Sequence, residues 1–384
     1  MMKEKIKQLI CSLPFSIKIV ISYLTTFINI NKMLSIKKID KMHSEDFNNL
    51  NTKLYKKNLK KCLKQFIISS SETSKYIDYL YKDRIVLIND VEFDYCKPTI
   101  ICVVKNEYDK LINFFNHYNK IGKFNYLFLD NNSSDDTLNL LKKHNAKVYI
   151  CKEKFSTLRK ISWINKIYST IPNGCWTVLL DADELLVYDE YEKHTFNETL
   201  KTLDNNKVDT CGAIMLDLFP NKMVKKENYF KNYIYFQNKF NEKKSFLFNS
   251  IYGGIREREF RFGDERIYLI KKHPVVKKDN KSLLIHCHYI YPFNRNFSSD
   301  VYFALLHYKL FDSEIEKYKK IANDGSYGNG GGSTEYKMYI KKLNENNFDE
   351  IFKFDKDTIK YNGSKALKKV AILKSIYNIK KEIR

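Results

Sequence analysis

Apolar residues gather into short unbroken runs separated by amphipathic stretches, and this alternation begins at Pro98. Residues Thr99 to Val104 (TIICVV) are continuously apolar and β-branched, the pattern of a strand buried on both faces of a parallel sheet. Leu111, Phe115 and Tyr118 then fall at i, i+4 and i+7, giving one apolar stripe along a helix that Gly122 can stop. Tyr126–Leu129 reads as a second strand, Asp130–Asp136 as a polar loop, and Thr137–Asn145 as a helix with Ser133 or Ser134 available as its cap. Lys147–Ile150, Thr157–Thr170 and Trp176–Leu180 continue the pattern as strand, helix and strand. Such alternation predicts an α/β fold, a mainly parallel sheet flanked by helices, with ligands bound beyond the carboxyl ends of the strands.

The flanks differ in texture. Residues 1–95 form a Lys-rich N-terminal extension, residues 96–310 the α/β domain, and residues 311–384 a basic, mostly helical C-terminal extension. Lys3, Lys5 and Lys7 precede an apolar run from Leu9 to Ile30, which Pro14 and Lys18 interrupt. Full insertion into a bilayer would bury a charge at about 2.5 kcal/mol or more, so an interfacial helix on an anionic membrane or a packed helix is expected. Residues 323–334, rich in Gly, Ser and Asn, read as a mobile loop. Leu367, Val370, Leu373, Ile376 and Ile379, spaced among lysines, predict a basic amphipathic helix over Ser364–Arg384.

Composition narrows the compartment more than the partner. The 67 Lys and Arg against 45 Asp and Glu give a formal charge of +22, which suits nucleic acid, anionic lipid or phosphorylated substrates. The abundance of Lys, Asn, Ile, Tyr and Phe follows AT-rich codons, which weakens charge as a guide. The eight cysteines are scattered without a C-x-x-C pair, as expected in a reducing cytoplasm.

Chemistry concentrates where the fourth predicted strand ends, at Asp181, Asp183 and Glu184. Alternating faces would point Asp181 and Asp183 the same way, and their repulsion would be relieved by a divalent cation. Oxygen ligands favour Mg2+ or Mn2+; the alternative is a solvated acidic turn. Asn106 and Glu107 follow the first strand and Asp130 the second, so all can converge on one crevice. There is no G-x-G-x-x-G and no G-x-x-x-x-G-K-[ST]. After Gly253 and Gly254, an extended segment would set Arg256 and Arg258 on one face, either for phosphate oxygens or as a solvated edge strand.

Residues 100–186 resemble the nucleotide-binding half of glycosyltransferases of the GT-A fold, in particular family 2-like bacterial enzymes. The resemblance is carried by VVKNE at 103–107, DNNSSDDT at 130–137 and LDADE at 180–184, and more loosely by GGIRER at 253–258, KHPVV at 272–276 and LHYK at 306–309. It implies a nucleotide-sugar donor, with UDP preferred, held around Val104, Asn106, Glu107, Asp130, Asn132, Arg159, Asp181, Arg256, Arg258 and Lys309. It implies Mg2+ or Mn2+ on Asp181 and Asp183, completed by His307, with His286 and His288 competing for that role. An inverting reaction would need a carboxylate base, for which Glu257, Asp217 and Asp264 are the candidates. The implied acceptor is a surface glycan or glycolipid (lipopolysaccharide, lipooligosaccharide or capsule), reached from the inner face of the cytoplasmic membrane. The competing class, a nucleic-acid-binding or two-metal phosphoryl-transfer protein, would need a clustered basic motif, and the basic residues are dispersed. A nucleotidyltransferase would normally carry a Gly-rich phosphate loop near its first strand, and none is present.

Overall fold

Each continuous apolar run becomes a buried strand. In the computed structural model the strands are β1 (Val86–Asn89), β2 (Thr99–Val104), β3 (Asn125–Asp130), β4 (Lys147–Ile150), β5 (Trp176–Leu180), β6 (Glu184–Tyr188) and β7 (Thr210–Asp217). They continue as β8 (Tyr235–Gln237), β9 (Phe240–Lys244), β10 (Asn249–Gly253), β11 (Lys271–Lys277), β12 (Leu283–His286), β13 (Tyr289–Tyr291), β14 (Val301–His307) and β15 (Thr358–Lys360). The structure describes residues 79, 82–222, 229–244, 249–260, 268–279, 282–291, 295, 301–324, 331–345 and 348–377. The expected interfacial helix near the N-terminus, and Asp264, lie outside the described residues.

Nine strands make one sheet in the order β1-β4-β3-β2-β5-β11-β7-β14-β6. β2 pairs in parallel with β3 and β5, β3 with β4, and β7 with β14, while β11 runs antiparallel between β5 and β7. Hence β2, β3, β4, β5, β7 and β14 share one direction, and the sheet is mainly parallel, as expected. Helices Tyr108–Ile121 and Thr157–Tyr168 flank it. On the first, Leu111, Phe115 and Tyr118 are fully buried, and Gly122 ends it with its N–H donating to the Tyr118 carbonyl. Phe114, Phe115, Tyr118, Phe124, Tyr126 and Phe128 fill one face of the sheet, and Trp163, Ile164, Ile167 and Tyr168 cover the other.

Three local expectations are corrected. Helix Thr137–Lys143 starts behind Asp136 with no side-chain cap; Ser133 and Ser134 instead join their loop to the one after β2, through Asn106 N–H to Ser133 Oγ at 2.9 Å and Ser134 N–H to Asn106 Oδ1 at 2.7 Å. The stretch after Gly253 is helical over Gly254–Glu259, not extended. Gly253 at φ 141° and Gly254 at φ 81° make that switch, and a Cβ at Gly253 would lie 2.2 Å from the Lys239 carbonyl oxygen. Residues 331–334, read as loop, belong to the helix Gly331–Glu345, while 325–330 lie outside the described residues.

Beyond residue 310 the chain packs into the same core. Tyr318, Tyr336, Tyr339, Leu367, Leu373 and Ile376 are all buried within it. The last described helix is short, Gly363–Lys369; Leu367, Leu373 and Ile376 are buried against the protein, and Ile379 lies outside the described residues. Among the described residues, no helix is long and apolar enough to cross a membrane. Cys102, Cys151, Cys175 and Cys211 are buried free thiols.

Candidate functional site

β5 stops at Leu180, where the apolar run ends, and Asp181–Asp183 form a tight turn closed by Glu184 N–H to the Asp181 carbonyl at 3.1 Å. The chain then leaves as β6, which pairs with β14 and not with β5. A turn does not keep the two-residue alternation of a strand, so Asp181 and Asp183 take different partners. The Asp181 carboxylate is held by the ammoniums of Lys160 and Lys272. Lys272 also reaches both oxygens of the buried Glu184, at 2.7 and 2.8 Å. Burial opposes ionisation of Asp181, but the two lysines outweigh it and hold the carboxyl below its ordinary range.

Asp183 faces the end of β14. Its Oδ2 lies 3.6 Å from His307 Nε2 and 4.0 Å from Lys110 Nζ. His307 Nδ1 meets Asp217 Oδ1 at 2.5 Å, and Asp217 Oδ2 accepts from Arg256 Nε at 2.8 Å. The register explains the contact, since His307 pairs with Asp217 across β14 and β7. Burial disfavours charge on His307, yet Asp183 and Asp217 prevail and push its pKa up to about 9. Asp183 is held well below the usual carboxylate range, against burial, by His307, Lys110 and Lys309.

These groups border a cavity of about 1000 Å³ at the carboxyl edge of β2, β5 and β14. The segment from Glu314 through the helices Ile315–Asp324 and Gly331–Glu345 contributes to its wall with Glu314, Lys317, Tyr318, Glu335 and Tyr336. Lys110 bonds Glu314 at 2.7 Å and Lys317 bonds Glu107 at 2.7 Å, fastening this segment to the helix after β2.

Of the residues singled out from the sequence, Val104, Asn106, Glu107, Asp181, Asp183, Arg256, His307 and Lys309 line the cavity. Asn106 sits at φ 54°, a left-handed conformation that asparagine tolerates. Asp217 stands behind His307 and Arg256. Arg159, Arg258, Glu257 and Asn132 do not line the cavity. Arg159 pairs with Asp83 at 3.2 Å and donates to the Lys154 carbonyl. Arg258, turned away from Arg256 by the helix, bonds Glu259, Gln237 and Asp355. Glu257 accepts the Tyr268 N–H at 2.9 Å, and Asn132 is exposed at φ 59°. His288 is on the cavity wall, with Nδ1 3.0 Å from the Lys271 carbonyl, and the side chain of His286 lies outside the described residues.

Asp130 is buried off the cavity wall, its Oδ1 accepting the Ser133 N–H at 2.8 Å. Its neighbour Asn131, which the sequence reading missed, lines the cavity. Asn131 Nδ2 donates to the carbonyls of Cys151 at 2.8 Å and Glu153 at 2.9 Å. Two carbonyl partners force the amide nitrogen to that side, and Oδ1 is left buried with no partner among the described residues. Lys110, Lys160, Lys272 and Glu335 were also missed, each lying far along the chain from at least one of its partners.

Among the described residues, no group of three or more His, Cys, Asp or Glu side chains is arranged to hold a metal ion. The Asp183 and His307 pair nevertheless fits a two-ligand site. The spacing of 3.6 Å is one that a shared cation can span, and the carboxylate behind the histidine is the usual support of a metal-bound imidazole. Mg2+ and Mn2+ sites often take one or two protein ligands and leave other positions to water and substrate phosphates.

Fold and site thus define a mixed α/β protein, with a mainly parallel sheet flanked by helices and a charged cavity at the carboxyl edge of its strands. No family model and no curated protein matches the chain. Among solved structures, residues 1–349 of S. aureus TarS are similar over 59% of this chain and 63% of that one, with 12% identity and a TM-score of 0.29. The same segment in complex with UDP is similar over 59% and 63%, with 13% identity and a TM-score of 0.28. The TarS structure not limited to that segment is similar over 59% and 38%, with 14% identity and a TM-score of 0.28. The chain therefore spans less than two thirds of each of these structures, and overlap at this TM-score transfers neither site nor activity.

Proposed function

We propose that this chain is a metal-dependent, GT-A-type glycosyltransferase that moves a sugar from a nucleotide-sugar donor to a glycan or glycolipid acceptor. The observation that carries this reading is the pair Asp183 and His307 on the wall of a cavity that Asn131 also lines, with Asp217 behind His307. Asp183 and His307 would hold Mg2+ or Mn2+, which supplies positive charge to a departing diphosphate. Asp181 joins that ion only by releasing Lys160 or Lys272, so its part is to balance their charge beside the donor. Lys309 and Arg256 line the same cavity, both paired with Glu335. Asn131 Oδ1 suits a donor N–H of a nucleobase, such as the N3–H of uracil.

The acceptor class we propose is a bacterial surface glycan such as lipopolysaccharide, lipooligosaccharide or capsule, extended with inversion at the cytoplasmic face. The Lys-rich N-terminal extension supports work beside an anionic membrane. The test is incubation with UDP-, GDP- and CMP-sugars and Mn2+, measuring released nucleotide. We expect release from UDP- or GDP-sugars that EDTA abolishes. Absence of release from every donor would overturn the proposal.

A further inference from the structure

Among the described residues, six carboxylates line the cavity: Glu107, Asp181, Asp183, Glu184, Glu314 and Glu335. A base for an acceptor hydroxyl must have an oxygen to spare, and most of these do not. Glu107 gives Oε1 to Lys317 at 2.7 Å and Oε2 to Lys110 at 3.4 Å. Glu314 gives Oε1 to Lys110 at 2.7 Å and Oε2 to the Tyr318 hydroxyl at 3.2 Å. Asp181 spends one oxygen on each of Lys160 and Lys272, and Lys272 covers both oxygens of Glu184. Asp183 belongs with His307.

Glu335 is different. Arg256 Nη1 at 3.3 Å, Lys309 Nζ at 3.1 Å and the Tyr339 hydroxyl all converge on its Oε1. No donor among the described residues takes Oε2. Three donors on Oε1 fix the carboxylate and leave Oε2 without a donor among the described residues, on a side chain whose residue lines the cavity. The same contacts complete an unbroken chain from His307 through Asp217 and Arg256 to Glu335, which holds the carboxylate in register with the metal-side histidine.

We propose that Glu335 is the catalytic base of the transfer; the assignment rests on the transferase reading. Oε2 takes the proton of the acceptor hydroxyl as the acceptor oxygen bonds to the anomeric carbon. The bond from that carbon to the diphosphate oxygen breaks, its electron pair leaves with the nucleoside diphosphate, and the proton on Glu335 passes to solvent. Burial would raise this carboxyl, but Lys309 and Arg256 outweigh it and hold it at about 2, so the group is ionised when the acceptor arrives. Low basicity is no obstacle, because a hydroxyl that is bonding to carbon becomes an oxonium, a far stronger acid than a carboxyl group.

The test uses the full chain with Mn2+ and whichever donor of the UDP- and GDP-sugar panel it turns over, with water and n-octyl β-D-glucoside as acceptors. Glu335→Gln should lower nucleotide release by about 100-fold or more, keep the UDP-induced thermal shift, and leave KM for the donor within about threefold. Glu335→Asp should recover part of the rate, and sodium formate should partly rescue a folded Glu335→Ala. Release by Glu335→Gln within about threefold of wild type would overturn the assignment alone. So would loss of the UDP shift in both Gln and Asp variants, which would make Glu335 a structural or donor-binding group. A wild-type chain silent to every donor would overturn the transferase reading and this assignment with it.

Discussion

Replacing Lys272 with Met tests whether the turn Asp181–Asp183 is held by buried charge. Lys272 Nζ lies 2.7 and 2.8 Å from the two Glu184 oxygens and 3.4 Å from Asp181 Oδ2. The side chains of Lys272 and Glu184 are only 7% and 2% exposed, so the remaining carboxylate could not recover its hydration. Removing one partner of a buried pair costs about 3–5 kcal/mol, whereas removing both charges is often close to neutral. Lys272→Met should therefore lose about 3–5 kcal/mol in urea denaturation at neutral pH. The double variant Lys272→Met/Glu184→Gln should recover most of that loss, because Gln still accepts the Asp181 N–H that Glu184 Oε2 takes at 3.0 Å. Burial already raises the Glu184 carboxyl, so without Lys272 the deficit should shrink as pH falls and that group takes a proton. A single-variant cost below about 1 kcal/mol, or a double variant no better than the single, would refute the reasoning.

Asp217→Asn withdraws the carboxylate behind His307 and should weaken Mn2+ binding about 10- to 100-fold by paramagnetic resonance titration, while unchanged affinity would remove His307 from the metal site. Asn131→Leu removes a fixed acceptor and should weaken UDP binding about tenfold without changing Mn2+ affinity, as read by calorimetry. His117 Nε2 lies 2.7 Å from the Leu186 carbonyl, and burial lowers its pKa from 6.5 to about 4. Its folded pKa is below the unfolded one, so its contribution is intact above pH 6.5 and declines toward pH 4, by about 3 kcal/mol at most. His117→Gln should accordingly lose less thermal stability than wild type between pH 7 and 5; parallel losses would show that the ring does not titrate on unfolding.

The sequence was most legible where one physical constraint acted alone. β2, β4 and β5 appear with the predicted limits because strands buried on both faces leave unbroken apolar runs between polar loops. The same rule misjudged Asp181 and Asp183, since alternation ends with the strand at Leu180. GGIRER was read as extended because its two arginines alternate, while the φ values of Gly253 and Gly254 turn it into a helix. Over Ser364–Arg384 helical spacing predicted one apolar face, whereas the helix ends at Lys369 and Leu367, Leu373 and Ile376 are buried in the protein's own core. The cations of the site were hidden for a different reason. Lys160 and Lys272 meet Asp181 across 21 and 91 residues, and nothing local separates them from the other basic residues of a chain with 67. Asn131 and Asp130 are adjacent polar residues, and only the folded backbone decides which one faces the cavity.

The central claim is a nucleotide site completed by a metal at Asp183 and His307. Calorimetric titration of UDP into the full chain, with Mn2+ and with EDTA, tests it most directly in wild type and in Asp183→Asn. Wild type should bind UDP at least tenfold more tightly with Mn2+, and the variant should lose that difference while remaining folded. Equal UDP affinity with and without Mn2+ in wild type, or a metal dependence that survives in Asp183→Asn, would contradict it.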